Sequence, residues 1–364
     1  MQYVVSEEGL SVVEEYNASL ARKVTFIILL VIAIFVVLCL SASMGGRPVD
    51  VWSIPGIIWD HIMGATYAPD SSEWWDDYVI VEVRLPRIVI SCVAGAILAI
   101  CGAAVQSLMN NPLASPYTLG ISSGAGFGAT LAIILGFSLM SNVGVYGITI
   151  NAFIFGLMPV VVVLMISKMV RLTPVTLILI GVAISQFFGS LTTLVYLGAD
   201  EGSIQAAYLW EIGSMVNVEW RDLYLMAFML VVGGILLYAA SWKFNVLTLG
   251  EDSAKTMGVD ADRFRILAMC LLALMTMSVV SFVGIIGFIG LIAPHVVRSV
   301  IGSDNRFVLP ASLVAGALLL LCADSVARLL TTDLLPVGTV IALIGSPVFI
   351  YLIVRRNAQF KGAW

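Results

Sequence analysis

The sequence predicts an all-α, polytopic integral membrane protein with about ten transmembrane helices, and three observations carry that prediction. Of 364 residues, 60% are hydrophobic and 11% are charged, whereas a soluble domain has about 45–50% apolar and 25% charged residues. Apolar runs near the ~20 residues that cross a bilayer recur along the whole chain. No stretch alternates with period two at barrel-strand length, so helices are the only spanning element available. So few charges cannot cover a water-soluble globule of this size. A soluble enzyme, a nucleic-acid binder and a disordered chain are all excluded.

The runs fall at 24–43, 88–107, 118–139, 147–167, 174–197, 222–240, 264–281, 283–300, 308–329 and 337–354. The first starts too late, and behind too many acids (Glu7, Glu8, Glu14, Glu15), to be a cleaved signal peptide. The second follows Arg84-Leu85-Pro86-Arg87, where Pro86 is expected to stop the helix from extending backwards. The third is glycine-rich, and a short basic turn with Thr173 and Pro174 separates the fourth from the fifth. The seventh and eighth are the least separated. Val279 to Ile292 is uncharged and apolar but for Ser281, and only Gly284, Gly287 and Gly290 mark a reversal. Residues 44–87 and 198–221 hold six tryptophans, Trp52, Trp59, Trp74, Trp75, Trp210 and Trp220. Tryptophan collects at membrane–water interfaces, so short helices lying on the outer surface are expected there.

Basic residues set the orientation. With ten spans and the N-terminus inside, thirteen Lys and Arg residues fall in the cytoplasm, Arg171 and every lysine among them. Five arginines, Arg47, Arg84, Arg87, Arg221 and Arg328, fall outside. Both termini of this multi-pass protein are therefore expected on the cytoplasmic side of the cell membrane. The chain divides into a cytoplasmic N-terminal segment 1–23, a transmembrane domain 24–356 with a cytoplasmic loop 241–263, and a cytoplasmic tail 357–364.

Several chemistries have no residues to perform them. There is no G-x-x-x-x-G-K-[ST] phosphate loop, so the chain does not itself hydrolyse ATP by that route. His61 and His295 are the only histidines, and the five cysteines are irregularly spaced inside apolar runs, so no metal site is expected. Gly124-Ala125-Gly126-Phe127-Gly128-Ala129 matches a dinucleotide fingerprint but lies within an apolar span. There Gly120, Gly124 and Gly128 read better as a small-residue ridge for close helix packing. Asp324 is the clearest acid within a span. It is either a functional intramembrane carboxylate or the partner of Arg328, four residues on.

Four stretches carry the functional reading. Arg84-Leu85-Pro86-Arg87 offers two guanidiniums near the outer face, suited to bidentate pairing with carboxylates; alternatively they snorkel to lipid phosphates or pair with Glu82. Asn110-Asn111-Pro112-Leu113-Ala114-Ser115-Pro116 makes an ordered cytoplasmic turn before the glycine-rich span. Leu249-Gly250-Glu251-Asp252-Ser253-Ala254-Lys255-Thr256-Met257-Gly258-Val259 reads as a two-turn helix with N-terminal acids and Gly258 as its C-terminal stop. A helix so short packs on something or lies on the bilayer. The fourth stretch joins Gly287-Phe288-Ile289-Gly290-Leu291-Ile292-Ala293-Pro294-His295-Val296-Val297-Arg298 to Gly302-Ser303-Asp304-Asn305-Arg306, Ala323-Asp324-Ser325-Val326-Ala327-Arg328 and Leu335-Pro336-Val337-Gly338.

In this order and at these spacings, the four stretches resemble the permease family of bacterial and archaeal ABC importers for iron–siderophore complexes, haem and vitamin B12. The resemblance runs from about residue 24 to 356. It implies a type II ABC importer-like subunit that works as a homodimer with two ATP-binding cassette subunits and an extracytoplasmic binding protein. ATP and Mg would sit on the ATPase subunits, and this chain would bind no cofactor and no nucleic acid. By motif position, Arg84, Arg87 and Arg328 would dock the binding protein. Gly250, Glu251, Ala254 and Gly258 would couple to the ATPase. Asn111, Leu113, Thr173, Pro174 and Val175 would form the cytoplasmic gate, with Pro174 a departure from the family pattern. The substrate would be a bulky metal chelate, with an iron–siderophore first and a corrinoid or haem next. An ion-coupled secondary transporter is the alternative, though such a carrier would ordinarily show more intramembrane charges.

Overall fold

The computed structural model describes residues 7–140, 146–170, 172–330 and 335–361. Arg171 and parts of the two terminal segments (1–6 and 362–364) lie outside the described residues. The helices are α1 (Glu7–Ser43), α2 (Ile54–Ile62), α3 (Ser72–Tyr78), α4 (Leu85–Leu108), α5 (Ile121–Leu135), α6 (Gly147–Ile166), α7 (Pro174–Tyr196) and α8 (Glu201–Ile212). They continue with α9 (Trp220–Ala239), α10 (Ser241–Thr248), α11 (Glu251–Thr256), α12 (Ala261–Val283), α13 (Ile289–Ile301), α14 (Asn305–Leu330) and α15 (Val337–Lys361). Among the described residues, seven helical stretches are long and apolar enough to cross a bilayer, and the shorter apolar α5, α13 and first part of α15 bring the candidate spans to ten. Lys23 stacks over Phe307 at 4.7 Å, which sets the start of the apolar part of α1 beside the start of α14.

Two spans are shorter than expected, for a backbone reason. The third run opens with a 3₁₀ turn, Pro116–Leu119, and α5 starts only after Gly120 at φ +82°. The eighth run, expected from 283, opens on the last residue of α12 and is non-helical from 284 to 288, where Gly284 (φ +74°) and Phe288 (φ +64°) bend the chain. The 13 residues of α13 therefore reach about 20 Å, two-thirds of a hydrocarbon layer of about 30 Å.

Pro86 does not end its helix. The helix runs unbroken from Ser72 to Leu108, 37 residues, because a π turn at Val79–Arg84 precedes the proline. There the Leu85 N–H donates to the Ile80 carbonyl, five residues back. The widened turn relieves the clash that a proline ring makes with the preceding α turn. It also frees the Val81 carbonyl, which accepts from Trp220 Nε1 at 2.9 Å.

Of the short surface helices expected at 44–87, α2 is one, whereas α3 runs on into α4 as the start of the 37-residue helix and stacks Trp74 on Tyr78 at 5.6 Å. Helix α8 departs from that expectation. Its C-terminal end turns into the bundle, where Ser214 N donates to Val283 O (2.8 Å) and Gly338 N to Gly213 O (3.3 Å).

Small residues set the packing, as lipid gives helices no hydrophobic reason to associate. A Cβ on Gly95 of α4 would lie 2.3 Å from the Gly316 carbonyl of α14, and one on Gly102 would lie 2.0 Å from the Gly290 carbonyl of α13. The glycine ridge behaves likewise, with Gly124 and Gly128 against the Phe155 and Asn151 carbonyls of α6. Overpacking a core costs about 1–3 kcal/mol, more when backbone must move. Gly95→Val is therefore expected to lower the thermal unfolding midpoint in detergent by several degrees. Gly234→Val, where nothing lies within 4 Å, is expected to leave it unchanged.

Candidate functional site

The three arginines assigned to docking gather at one end of the bundle, where α1 ends, α4 begins and α14 ends. They are less displayed than the sequence suggests. Arg84 is buried and caps the end of α1, donating to the carbonyls of Ala42 (2.6 Å), Ser43 (3.2 Å) and Arg47. A cation at a helix C-terminus satisfies carbonyls that lack intrahelical partners.

Arg87 and Arg328 share one carboxylate. Asp324, fully buried, accepts from Arg87 Nε at 2.8 Å and lies 3.1 Å from Arg328 Nε. The second contact is a charge pairing without hydrogen-bond geometry, since neither Asp324 Oδ2 nor Arg328 Nε has a bonded partner. Arg328 spends its other donors on the backbone and hydroxyl oxygens of Ser41. Both readings of Asp324 thus meet in one cluster: the local Arg328 pair exists, and Arg87, 237 positions away, joins it. Two guanidiniums face one carboxylate here, so the cluster carries a net positive charge. The Arg47 side chain pairs instead with Asp76, at 2.6 Å.

The coupling residues lie on and around α11, which is six residues long, close to the two turns expected. Gly250 (φ +106°) and Gly258 (φ +78°) flank it in conformations that L side chains rarely adopt. Ala254 is fully buried, and its carbonyl accepts from Val259 N at 2.8 Å. The helix is therefore seated on the protein rather than lying on the bilayer. Its exposed side carries Glu251 and Asp252, flanked by the exposed apolar side chains Leu249 and Met257.

The gate residues form two turns at the same end as α11. Thr173 caps α7, its Oγ1 accepting from Thr176 N at 3.2 Å, and Pro174 is the first helical residue. Proline suits that position, where its missing N–H would be unpaired anyway; this explains its presence. Val175 is exposed. In the other turn, Asn111 Oδ1 accepts from Leu113 N at 2.9 Å and presents Leu113 outward.

Two features at this end escaped the sequence. Asn305 Oδ1 accepts from Ser107 Oγ (2.8 Å) and Arg298 Nη2 (3.3 Å), while its amide donates to Asn245 Oδ1 (2.9 Å). Asn245 in turn donates to Asp304 at 2.7 Å. The polar run 302–306 thus stitches α4, α10, α13 and α14 together. The second is Arg265 on α12, whose side chain is 5% exposed and which bonds Glu251 of α11. The i,i+4 pattern that exposed the Asp324 pair has no counterpart for contacts so distant in sequence.

The chain resembles other membrane subunits over nearly its whole length. An ABC transporter permease protein from Methanocaldococcus jannaschii is 38% identical over 350 residues, covering 94% of this chain and 97% of that one. The cobalamin import system permease of Halobacterium salinarum is 40% identical over 282 residues, 77% of this chain and 74% of that one. A solved structure described as an inward-facing metal-chelate type ABC transporter aligns with TM-score 0.79 at 30% identity, over 91% of this chain and 99% of that chain. The FecCD transport family model matches residues 29–355. All-helical, multi-pass and built on this shared permease architecture, the chain belongs to the FecCD transport family, the membrane subunits that partner ATPase and substrate-binding subunits in ABC transporters.

Proposed function

We propose that the chain is the membrane-spanning subunit of an ATP-driven importer for a bulky metal chelate, working as a homodimer by alternating access. The family match across residues 29–355 carries this reading. The two polar ends support it: a positive arginine cluster at one, a seated loop helix at the other. In this reading the end bearing α11 and both termini faces the cytoplasm. Arg84, Arg87 and Arg328 form the docking patch for acidic groups of an extracytoplasmic binding protein, with Arg87 and Arg328 the contacting pair and Arg84 fixing α1 beside them. Gly250, Glu251, Ala254 and Gly258 couple to two ATP-binding cassette subunits, which hold ATP and Mg. Asn111, Leu113, Thr173, Pro174 and Val175 close the cytoplasmic gate.

Ferric siderophore is the first candidate cargo, followed by a corrinoid or haem. Relatives named for ferric hydroxamate, cobalamin and hemin lie at 32–40% identity, which leaves cargo choice largely to the binding protein. Reconstitution into liposomes tests the proposal. Uptake is expected only when ATPase subunits, ATP and the binding protein are all supplied. Uptake by this chain alone under an ion gradient would instead establish a secondary carrier.

A further inference from the structure

We propose that Arg265 is a positioning residue that transmits motion of α11 to the gate turn. Its guanidinium Nη1 donates to Glu251 Oε1 of α11 at 2.7 Å and to the Leu172 carbonyl at 3.3 Å. Leu172, buried, immediately precedes Thr173, the cap of α7. One buried nitrogen therefore touches both the loop helix and the turn that launches the gate helix. The inference rests on the permease reading above and adds to it a specific route through the protein.

The geometry makes this side chain the stiff route. Along the backbone, α11 joins its neighbours through Gly250 and Gly258, the two residues with least resistance to rotation. Across the fold, the Arg265–Glu251 contact is a short charge-assisted bond, among the stronger hydrogen bonds a protein makes. The arginine is 5% exposed at its side chain while Glu251 is 46% exposed. The tie therefore starts at the surface and ends in the interior. Arg265 Nε is buried without a partner, so the guanidinium holds unused donor capacity. Asp262, one helical turn away at 3.8 Å, can keep the charge paired if Glu251 is drawn aside. A displacement of α11 thus pulls on the Leu172 carbonyl or hands the guanidinium to Asp262, two discrete arrangements of the kind that coupling requires.

The test uses the assembled complex of permease, ATPase subunits and binding protein in proteoliposomes, with a spin label at Val175→Cys to report the gate. Arg265→Gln is expected to lower cargo transported per ATP hydrolysed at least tenfold and to abolish the ATP-dependent change at the label, while hydrolysis continues. Glu251→Gln, cutting the tie from its exposed end, is expected to shift both readouts in the same direction. The double variant is expected to be no worse than Arg265→Gln alone, the signature of one shared path. Normal stoichiometry and a normal label response in Arg265→Gln would overturn the proposal, as they would in Glu251→Gln if Arg265→Gln does not fold. Failure of the permease reading is separable, since the unsubstituted chain would then neither bind ATPase subunits nor respond to ATP.

Discussion

Asp324→Ala is expected to destabilise the protein by about 3–5 kcal/mol, the usual cost of removing one partner from a buried ion pair. Its carboxylate is fully buried between Arg87 and Arg328, and those guanidiniums are only 11% and 12% exposed. Without it, two like charges face each other across a site that water barely reaches, and no other described carboxylate pairs with either of them. Thermal unfolding in detergent, followed by size-exclusion fluorescence, is expected to show a large fall in midpoint. Replacing all three side chains by apolar ones of similar length (Arg87→Met, Asp324→Leu, Arg328→Met) is expected to recover most of the loss, because buried ion clusters are often no more stable than well-packed hydrocarbon. An unchanged midpoint in Asp324→Ala would mean that the arginines are solvated without their acid.

Gly258→Pro is expected to abolish cargo uptake in the assembled transporter. Gly258 sits at φ +78°, whereas a proline ring holds φ near −65°. Its N–H also donates to Lys255 O at 3.0 Å, a bond that proline cannot make. The substitution therefore re-aims the chain where α11 passes into α12, so hydrolysis and transport should part company. Gly258→Ala, facing a cost of about 1–2 kcal/mol for the left-handed conformation, is expected to reduce uptake without eliminating it. Glu251 behaves differently: it opens α11, a position where proline is well accommodated. Glu251→Pro thus tests the lost carboxylate rather than the backbone. Uptake near the unsubstituted level in Gly258→Pro would remove α11 from the transport cycle.

The ten candidate spans are legible in the sequence because an apolar run is a local property. The Asp324–Arg328 pair is legible for the same reason, since four residues make one helical turn. What Arg84 does is not, because its acceptors at Ala42, Ser43 and Arg47 lie 37 to 42 positions earlier. An arginine at the end of a span looks the same in sequence whether it meets water or the carbonyls of a neighbouring helix. Arg265 is hidden likewise, with Leu172 93 positions away. The shortened α5 and α13 were missed because φ at Gly120, Gly284 and Phe288 is decided by tertiary contacts rather than by hydropathy. Pro86 misled for a reason within its own helix: a wide turn can absorb a proline.

That wide turn at 79–84 also determines how this region tolerates changes of length. A π turn holds one residue more than the α repeat. Deleting a single residue there removes the extra residue together with the under-winding that absorbs it, so the segments on either side keep their relative rotation. The deletion would leave Trp74, Trp75 and Tyr78 facing as they do now, but would bring the Pro86 ring back against an ordinary α turn and part Trp220 from Val81. From Leu85 onward nothing would change register, so the Gly95–Gly316 crossing would survive intact. The turn is thus a place where the chain can differ by one residue while the tryptophan-bearing segment and the membrane core both keep their orientation.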